Sequence, residues 1–365
     1  MSDPTELHTL EAAYHPVKKL SFLLDWLVTL KCNFDCDYCG LWGHDNSKAH
    51  PPKHLCLKML KHSYEYVDCY MEQKSNRFRD VHLNIYGGES LYHPDIEELM
   101  EESSRLFEPY KNRWNINRRM TTNASAALKK WKNVVEHLEG VTFSYHPQGS
   151  EKMKNNFINN VEYFVTTKKD YDIVVLMYPR EPFFTDSLNF LKNCIKNNLN
   201  ARPRLLDGPL GIYSNEQRAM LRSFYVNKNT TESLIDDISS QGRACCGGRQ
   251  MCVNRDLNNP VKFVQRQNGF EGWHCSANHW FLMMNSVTKE FYTNKDCRVR
   301  SDGSVGALAT VDTIEEYIKS LKIQLQQNKN FFLKCAQKTC LCGTCAPKSM
   351  HKENLTDIMK IYNIN

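Results

Sequence analysis

The chain has 365 residues, of which 41% are hydrophobic and 24% charged, with a formal net charge of +6. This is an ordinary globular composition, long enough for one large domain and a smaller one. No apolar run approaches the roughly 18 residues that cross a bilayer. The N-terminus MSDPTELHTLEAAYHP lacks the basic-then-apolar layout of a secretory signal. No membrane partner and a cytoplasmic location are therefore expected. Positive charge is spread in short runs such as Arg118-Arg119 and Lys129-Lys130. With no long basic tail and no nucleic-acid motif, nucleic acid is not an expected partner. The 15 cysteines are an odd count without a signal, which argues for free thiols available to metals rather than a disulfide scaffold.

Residues 1–17 read as an N-terminal extension. Segment 20–30 is apolar and runs into the loop TLKCNFDCDYCG, where Cys32, Cys36 and Cys39 form C-x3-C-x2-C. Three thiolates this close suit a metal–sulfur cluster that keeps one position open, since a four-iron cluster normally takes four cysteines. Residues 54–74 follow as a helix, with Leu57, Leu60, Tyr64, Val67 and Met71 at three-four spacing. Val81, Leu83 and Ile85 alternate with His82, Asn84 and Tyr86, which reads as a strand. It ends in Gly87-Gly88-Glu89, glycines that let backbone approach a ligand closely.

The alternation continues. A helix is predicted near 94–107, a strand over 113–122 ending in Thr121-Thr122-Asn123, and a helix over 124–138. Val141 to Tyr145 alternates as a fourth strand, and a helix near 151–167 carries Met153, Phe157, Val161 and Phe164. Ile173 to Met177 is a continuous apolar run, as expected of a parallel strand buried on both faces. A helix near 186–198 and a strand at 203–207 complete six β-α units over 18–212, an α/β arrangement with a parallel sheet. Chemistry on such a sheet sits at the carboxyl ends of the strands, which makes Tyr145, His146 and Asp207 candidates for substrate contact or proton transfer. Residues 213–244 are polar and read as an irregular connector.

From 245 onward the composition changes. Cys245, Cys246, Cys252, Cys275, Cys297, Cys335, Cys340, Cys342 and Cys345 fall within about a hundred residues, interrupted by a helix at 313–328. Segment 245–365 is thus expected to be a small cysteine-rich domain. Cys275 and Cys297 flank HWFLMMNSVTKEFYTN, a candidate hairpin that would bring its ends together. Zinc also takes four sulfurs, so spacing alone leaves iron–sulfur and zinc open. A non-enzymatic zinc protein gripping a partner through this end is the alternative reading. Cys56, Cys69 and Cys194 lie on predicted helices, where cysteine is usually a small buried hydrophobe.

The C-x3-C-x2-C loop together with GGE resembles the radical S-adenosylmethionine superfamily. The resemblance implies a partial (β/α)6 TIM-like barrel and a 4Fe–4S cluster on Cys32, Cys36 and Cys39. The open iron of that cluster would bind S-adenosylmethionine, whose reductive cleavage gives a radical that removes a substrate hydrogen. It further implies that Tyr38 packs on adenine, that Gly87, Gly88 and Glu89 hold the methionine end, that Ser144 contacts the nucleoside, and that Thr122 and Asn123 donate to ribose oxygens or the methionine carboxylate. Ser90 and Ala124 depart from the family's usual proline and glycine. The C-terminal cysteines resemble the auxiliary-cluster region called SPASM or twitch. That implies a second iron–sulfur cluster on ligands among Cys275, Cys297, Cys340, Cys342 and Cys345, with Cys245, Cys246, Cys252 and Cys335 as further candidates. Lys289-Glu290 stand near where the region's glycine is expected, which leaves the ligand pairing open. The implied partners are a peptide or small-molecule substrate and an electron donor such as flavodoxin or ferredoxin. The implied outcome is oxidation or modification of a peptide residue or small metabolite.

Overall fold

The computed structural model describes residues 12–13, 21–39, 44–73, 80–206, 211–226, 271–293, 306–327, 332–335 and 348–361. Six strands alternate with helices. They are β1 (Phe22–Leu27), α1 (Lys53–Gln73), β2 (Asp80–Tyr86), α2 (Ile96–Phe107), β3 (Asn115–Thr122), α3 (Leu128–Val135), β4 (Gly140–Tyr145), α4 (Glu151–Thr166), β5 (Asp170–Met177), α5 (Phe183–Lys196), β6 (Ala201–Leu205) and α6 (Asn215–Val226). Strands β1 to β6 lie side by side in chain order, all parallel. This is the expected α/β architecture, an open sheet of the partial-barrel kind. Pro203 sits in β6, at one end of the sheet, where a missing N–H is tolerated.

The period-2 pattern decides which side chains form the core. Val81, Leu83 and Ile85 of β2, Val141 and Phe143 of β4, and Ile173, Val175 and Met177 of β5 all turn toward the helices, into one continuous core. Phe143 meets Trp131, Phe157 and Phe164 there. Each such side chain, fully withdrawn from water, contributes about 1.5–3 kcal/mol. The alternate residues, His82, Asn84, Asn117, Thr142 and Ser144, face the inner side and stay half-buried.

Three expectations are corrected. Helix α3 starts at Leu128 rather than 124, because Asn160 Nδ2 holds the carbonyls of Ala124 and Ala126 at 2.8 Å each and Ala124 takes a φ of 48°. The polar stretch after β6 is not irregular throughout, since Asn215–Val226 is helical. The C-terminal hairpin does not stand apart from the barrel. Its strands β7 (Phe281–Asn285) and β8 (Glu290–Tyr292) continue the barrel sheet, β7 pairing parallel with β1 and antiparallel with β8. With β9 (Ala309–Thr310) the sheet reaches nine strands. Trp26 Nε1 donates to Ser286 Oγ at 2.9 Å across that junction. Helix α7 (Ile314–Gln326) packs on α1, where Tyr317 stacks on Tyr66. A second, four-stranded sheet joins the two-residue strands Ala12–Ala13, Lys348–Ser349, His274–Cys275 and Leu333–Lys334. It ties the N-terminal extension to the far end of the chain, next to α8 (Lys352–Ile361).

Candidate active site

The cysteine loop leaves β1 at the carboxyl edge of the sheet and is fastened there by the ends of the next four strands. From β2, Gly88 N–H donates to Thr29 O at 2.8 Å and Glu89 N–H to Lys31 O at 2.9 Å. From β3, Asn123 Nδ2 donates to Asn33 Oδ1 at 3.0 Å, and Asn33 Nδ2 donates to Ser125 Oγ at 2.6 Å. From β4, His146 Nδ1 lies 2.7 Å from the Tyr38 hydroxyl, and Gln148 Nε2 donates to Asp37 Oδ1 at 3.2 Å. From β5, the Tyr178 hydroxyl donates to Asp37 Oδ2 at 2.5 Å. Within the loop Cys39 N–H closes a turn onto Cys36 O at 3.0 Å, and Cys32 N–H donates to Asn46 Oδ1 at 2.9 Å. The loop's conformation is therefore fixed by side chains from several elements at once.

Gly87 and Gly88 are required by protein backbone. A Cβ on Gly87 would stand 2.3 Å from Thr29 O, and one on Gly88 2.4 Å from Lys31 O and 2.6 Å from Leu30 O. The sequence reading gave their openness to a ligand; here it is filled by residues 29–31 of the cysteine loop. Glu89 is buried and already engaged. Its carboxylate accepts from Leu91 N–H at 3.0 Å, Thr122 Oγ1 at 2.7 Å and Asn123 N–H at 2.6 Å. Burial pushes this carboxyl above the ordinary glutamate range, and the three donors oppose that rise. Glu89 thus staples the GGE loop to the end of β3, and Thr122 and Asn123 serve the same staple.

The three predicted side-chain contacts on the β4 side divide. Ser144 and His146 face the inner side, and His146 touches the cysteine loop. Tyr145 does not share that mouth, because successive strand residues point to opposite faces. Its ring stacks on Phe190 at 3.9 Å and its hydroxyl donates to Asp186 at 2.9 Å, within the helix layer. Tyr38 lies parallel to the His146 ring, with planes 11° apart, and 5.5 Å from Tyr178. Asp207 lies outside the described residues.

Cys36 is buried, Cys32 half-buried and Cys39 exposed. Burial pushes the Cys32 thiol up to about 12 and the Cys36 thiol up to about 11. Both are neutral thiols as they stand, so a metal would displace their protons on binding. Cys36 Sγ lies 3.5 Å from His146 Nδ1, and Cys32 Sγ accepts from Phe34 N–H at 3.4 Å. Among the described residues no group of three or more His, Cys, Asp and Glu side chains is gathered closely enough to hold a metal ion. What fits an iron–sulfur cluster is the donor chemistry, three sulfurs on one short anchored loop.

In the C-terminal part, Cys275 and Cys335 are both buried. The small sheet sets Leu333 opposite Cys275, and Cys335 N–H donates to Trp273 O at 2.8 Å. By strand alternation the two cysteines share one face of that sheet. Cys245, Cys246, Cys252, Cys297, Cys340, Cys342 and Cys345 lie outside the described residues. Cys56, Cys69 and Cys194 are buried in the core, as expected of helical cysteines. Sequence reasoning passed over Asn33, Asp37, Asn46, Gln148 and Tyr178. For the first two the available signal was the polar residues set between the cysteines in CNFDCDYC.

No family model and no curated protein matches the chain. Among solved structures, Streptococcus suis SuiB bound to the precursor peptide SuiA aligns with a TM-score of 0.44 and 18% identity, over 75% of this chain and 60% of SuiB. This chain's match therefore spans less than two thirds of SuiB. Native anSMEcpe with bound AdoMet and Kp18Cys peptide aligns with a TM-score of 0.46 and 14% identity, over 95% of this chain and 98% of that one. BtrN in complex with AdoMet and 2-DOIA aligns with a TM-score of 0.35 and 10% identity, over 90% and 94%. With such scores these likenesses carry no part of the argument. In its own cysteine loop, GGE staple and run of parallel strands, the chain resembles the radical S-adenosylmethionine enzymes.

Proposed function

We propose that this chain is a radical S-adenosylmethionine enzyme. The observation that supports it best is the convergence of four strand ends on the C-x3-C-x2-C loop. That fastening gives three thiols a fixed place at the carboxyl edge of a parallel sheet, where such folds do chemistry. Cys32, Cys36 and Cys39 would hold a 4Fe–4S cluster. When bound, the reduced cluster and S-adenosylmethionine together supply a carbon-centred radical that takes a hydrogen atom from substrate. The chain's own work is to hold, orient and shield. The GGE loop and Glu89 staple set the height of the cysteine loop over the sheet. Ser144 and Thr142 offer hydroxyls on the inner face, suited to nucleoside oxygens. Tyr38 and Tyr178 present aromatic surface beside them, which excludes water.

In this reading residues 18–212 carry the radical chemistry, and 245–365 carry an auxiliary iron–sulfur cluster. Cys275 and Cys335 join the ligand candidates Cys297, Cys340, Cys342 and Cys345. Such a cluster would accept the substrate's electron and make the outcome an oxidation. The substrate class is a peptide residue or a small metabolite. The electron donor is of the flavodoxin or ferredoxin kind. Anaerobic reconstitution tests the reading. Brown protein with iron and sulfide, and 5′-deoxyadenosine on reduction with S-adenosylmethionine, are expected. Cys36→Ala abolishes that product while the unfolding temperature stays near wild type. Undiminished product from Cys36→Ala, or a colourless wild type with stoichiometric zinc, overturns it.

A further inference from the structure

His146 closes the inner-face series of β4 that runs Thr142, Ser144, His146. Its ring lies between two aromatic side chains of the cysteine loop, Phe34 with centroids 5.3 Å apart and Tyr38 at 5.9 Å. One nitrogen, Nδ1, stands 2.7 Å from the Tyr38 hydroxyl and 3.5 Å from Cys36 Sγ. It thereby reaches the middle cysteine and the residue before the third. Most of the other fastenings seize backbone or the asparagine and aspartate side chains of the loop. The Asn123 amide comes no nearer than 4.0 Å to Cys32 Sγ.

A neutral imidazole nitrogen carries either a proton or a lone pair. While Cys36 is a thiol, Nδ1 can accept the Tyr38 O–H or, in the other tautomer, donate to its oxygen. A thiolate only accepts, so once Cys36 ligates a metal the tautomer with the proton on Nδ1 is the one that satisfies it. We propose that His146 is a positioning residue for the cysteine loop, fixing Cys36 and Tyr38 against β4 and donating its Nδ1–H to the Cys36 sulfur in the metal-bound state. The second half rests on the cluster reading given under the proposed function; the first half does not. Hydrogen bonds to ligand sulfurs tune cluster potentials. A donor favours the more negative, reduced state and raises the potential.

His146→Phe keeps the stacked ring and removes both nitrogens, and His146→Asn returns an amide donor near the place of Nδ1. In the metal-free protein the rate of iodoacetamide labelling at Cys36, read by peptide mass spectrometry, reports the positioning. Cys36 is 6% exposed and Cys194 is 1% exposed, so Cys194 serves as the control for global opening. His146→Phe is expected to label Cys36 about fivefold faster, the scale of one neutral hydrogen bond, with Cys194 still protected and His146→Asn near wild type. An unchanged Cys36 rate in His146→Phe overturns the positioning role. If Cys194 opens as well, Tyr38→Phe decides, because it leaves His146 in place and removes its 2.7 Å partner. Faster Cys36 labelling there supports the role, and an unchanged rate overturns it. In reconstituted protein, the midpoint potential followed by electron paramagnetic resonance is expected to fall by about 59 mV in His146→Phe, a tenfold shift for one electron, and to recover in His146→Asn. Equal potentials overturn the sulfur hydrogen bond. A wild type that takes up no iron and sulfide overturns the functional reading and leaves the labelling result standing.

Discussion

Along β4, Val141, Phe143 and Tyr145 turn toward the helices and are buried, while Thr142, Ser144 and His146 turn inward and are half-buried. The same contrast runs through β2, where Val81, Leu83 and Ile85 are fully buried and His82, Asn84 and Tyr86 are not. The helix-facing side is a close-packed core, where a change of one methylene is felt. The inner side holds polar pairs, such as Asn84 Nδ2 to Asp25 Oδ1 at 2.7 Å and Arg202 Nη2 to Asp172 Oδ2 at 2.8 Å. Two stretches depart from this, the first at β5, where Val174, Leu176 and Tyr178 are buried with Leu206 on the inner side. In the second, where β7 and β8 join β1, the inner side becomes apolar, with Leu23, Leu27, Phe281, Met283 and Tyr292 buried together. The C-terminal hairpin therefore shares in the sheet's interior and closes its apolar end. The lesson is a division of labour by strand parity, with stability on one side and the site on the other.

The sharpest way to break that division is on the packed side. Phe143→Ala removes a ring that touches three other aromatic side chains and is expected to cost about 3–5 kcal/mol, read as a fall in denaturant midpoint. A cost near zero would mean that the helix layer is not the core. Next comes Gly88→Ala. Its Cβ meets the backbone oxygens of Lys31 and Leu30 at 2.4 and 2.6 Å, where no flexible side chain can yield. About 1–3 kcal/mol of destabilisation is expected, with faster proteolysis of the cysteine loop. Wild-type stability here would show that the GGE loop does not seat residues 29–31.

A smaller effect sharpens the view of the loop's tethers. The Tyr178 hydroxyl, then Gln148 and Arg180, hold the Asp37 carboxyl below its ordinary value of 3.8. A depressed carboxyl stabilises the folded state above its unfolded value, and that contribution is lost as the pH falls through the lower folded value. The stability gap between wild type and Tyr178→Phe is thus expected to hold from neutral pH to about 4 and to shrink below it, as followed by thermal unfolding. A gap independent of pH would remove Asp37 from the tether. Smallest in stability is Ser144→Ala on the inner face. A change within about 0.5 kcal/mol is expected, together with weaker S-adenosylmethionine binding by calorimetry on reconstituted protein. Destabilisation on the scale of Phe143→Ala would erase the distinction between the faces.

Much of this site is local in sequence. The cysteine spacing, the alternation before Gly87 and the apolar run at Ile173 to Met177 can be read within windows of a few residues. Tyr145 was set at the mouth by the sequence reading, although its parity with Phe143 already puts it under the helices. What could not be read was the set of partners. Glu89 meets Thr122 and Asn123 more than thirty residues away, and His146 meets Tyr38 across 108 residues. No periodicity encodes such pairs.

Taken alone, the amino-acid order determined the six β-α units, the thiol spacing and the burial of the helical cysteines, because side-chain period and local propensity act over one or two turns of chain. Only the tertiary structure decided that Gly87 and Gly88 admit backbone, that Glu89 is a staple and that His146 reaches a cysteine. It also decided that residues 281–292 complete the barrel sheet. Those outcomes depend on which strand ends arrive side by side, and that is set by packing of the whole sheet rather than by any one segment.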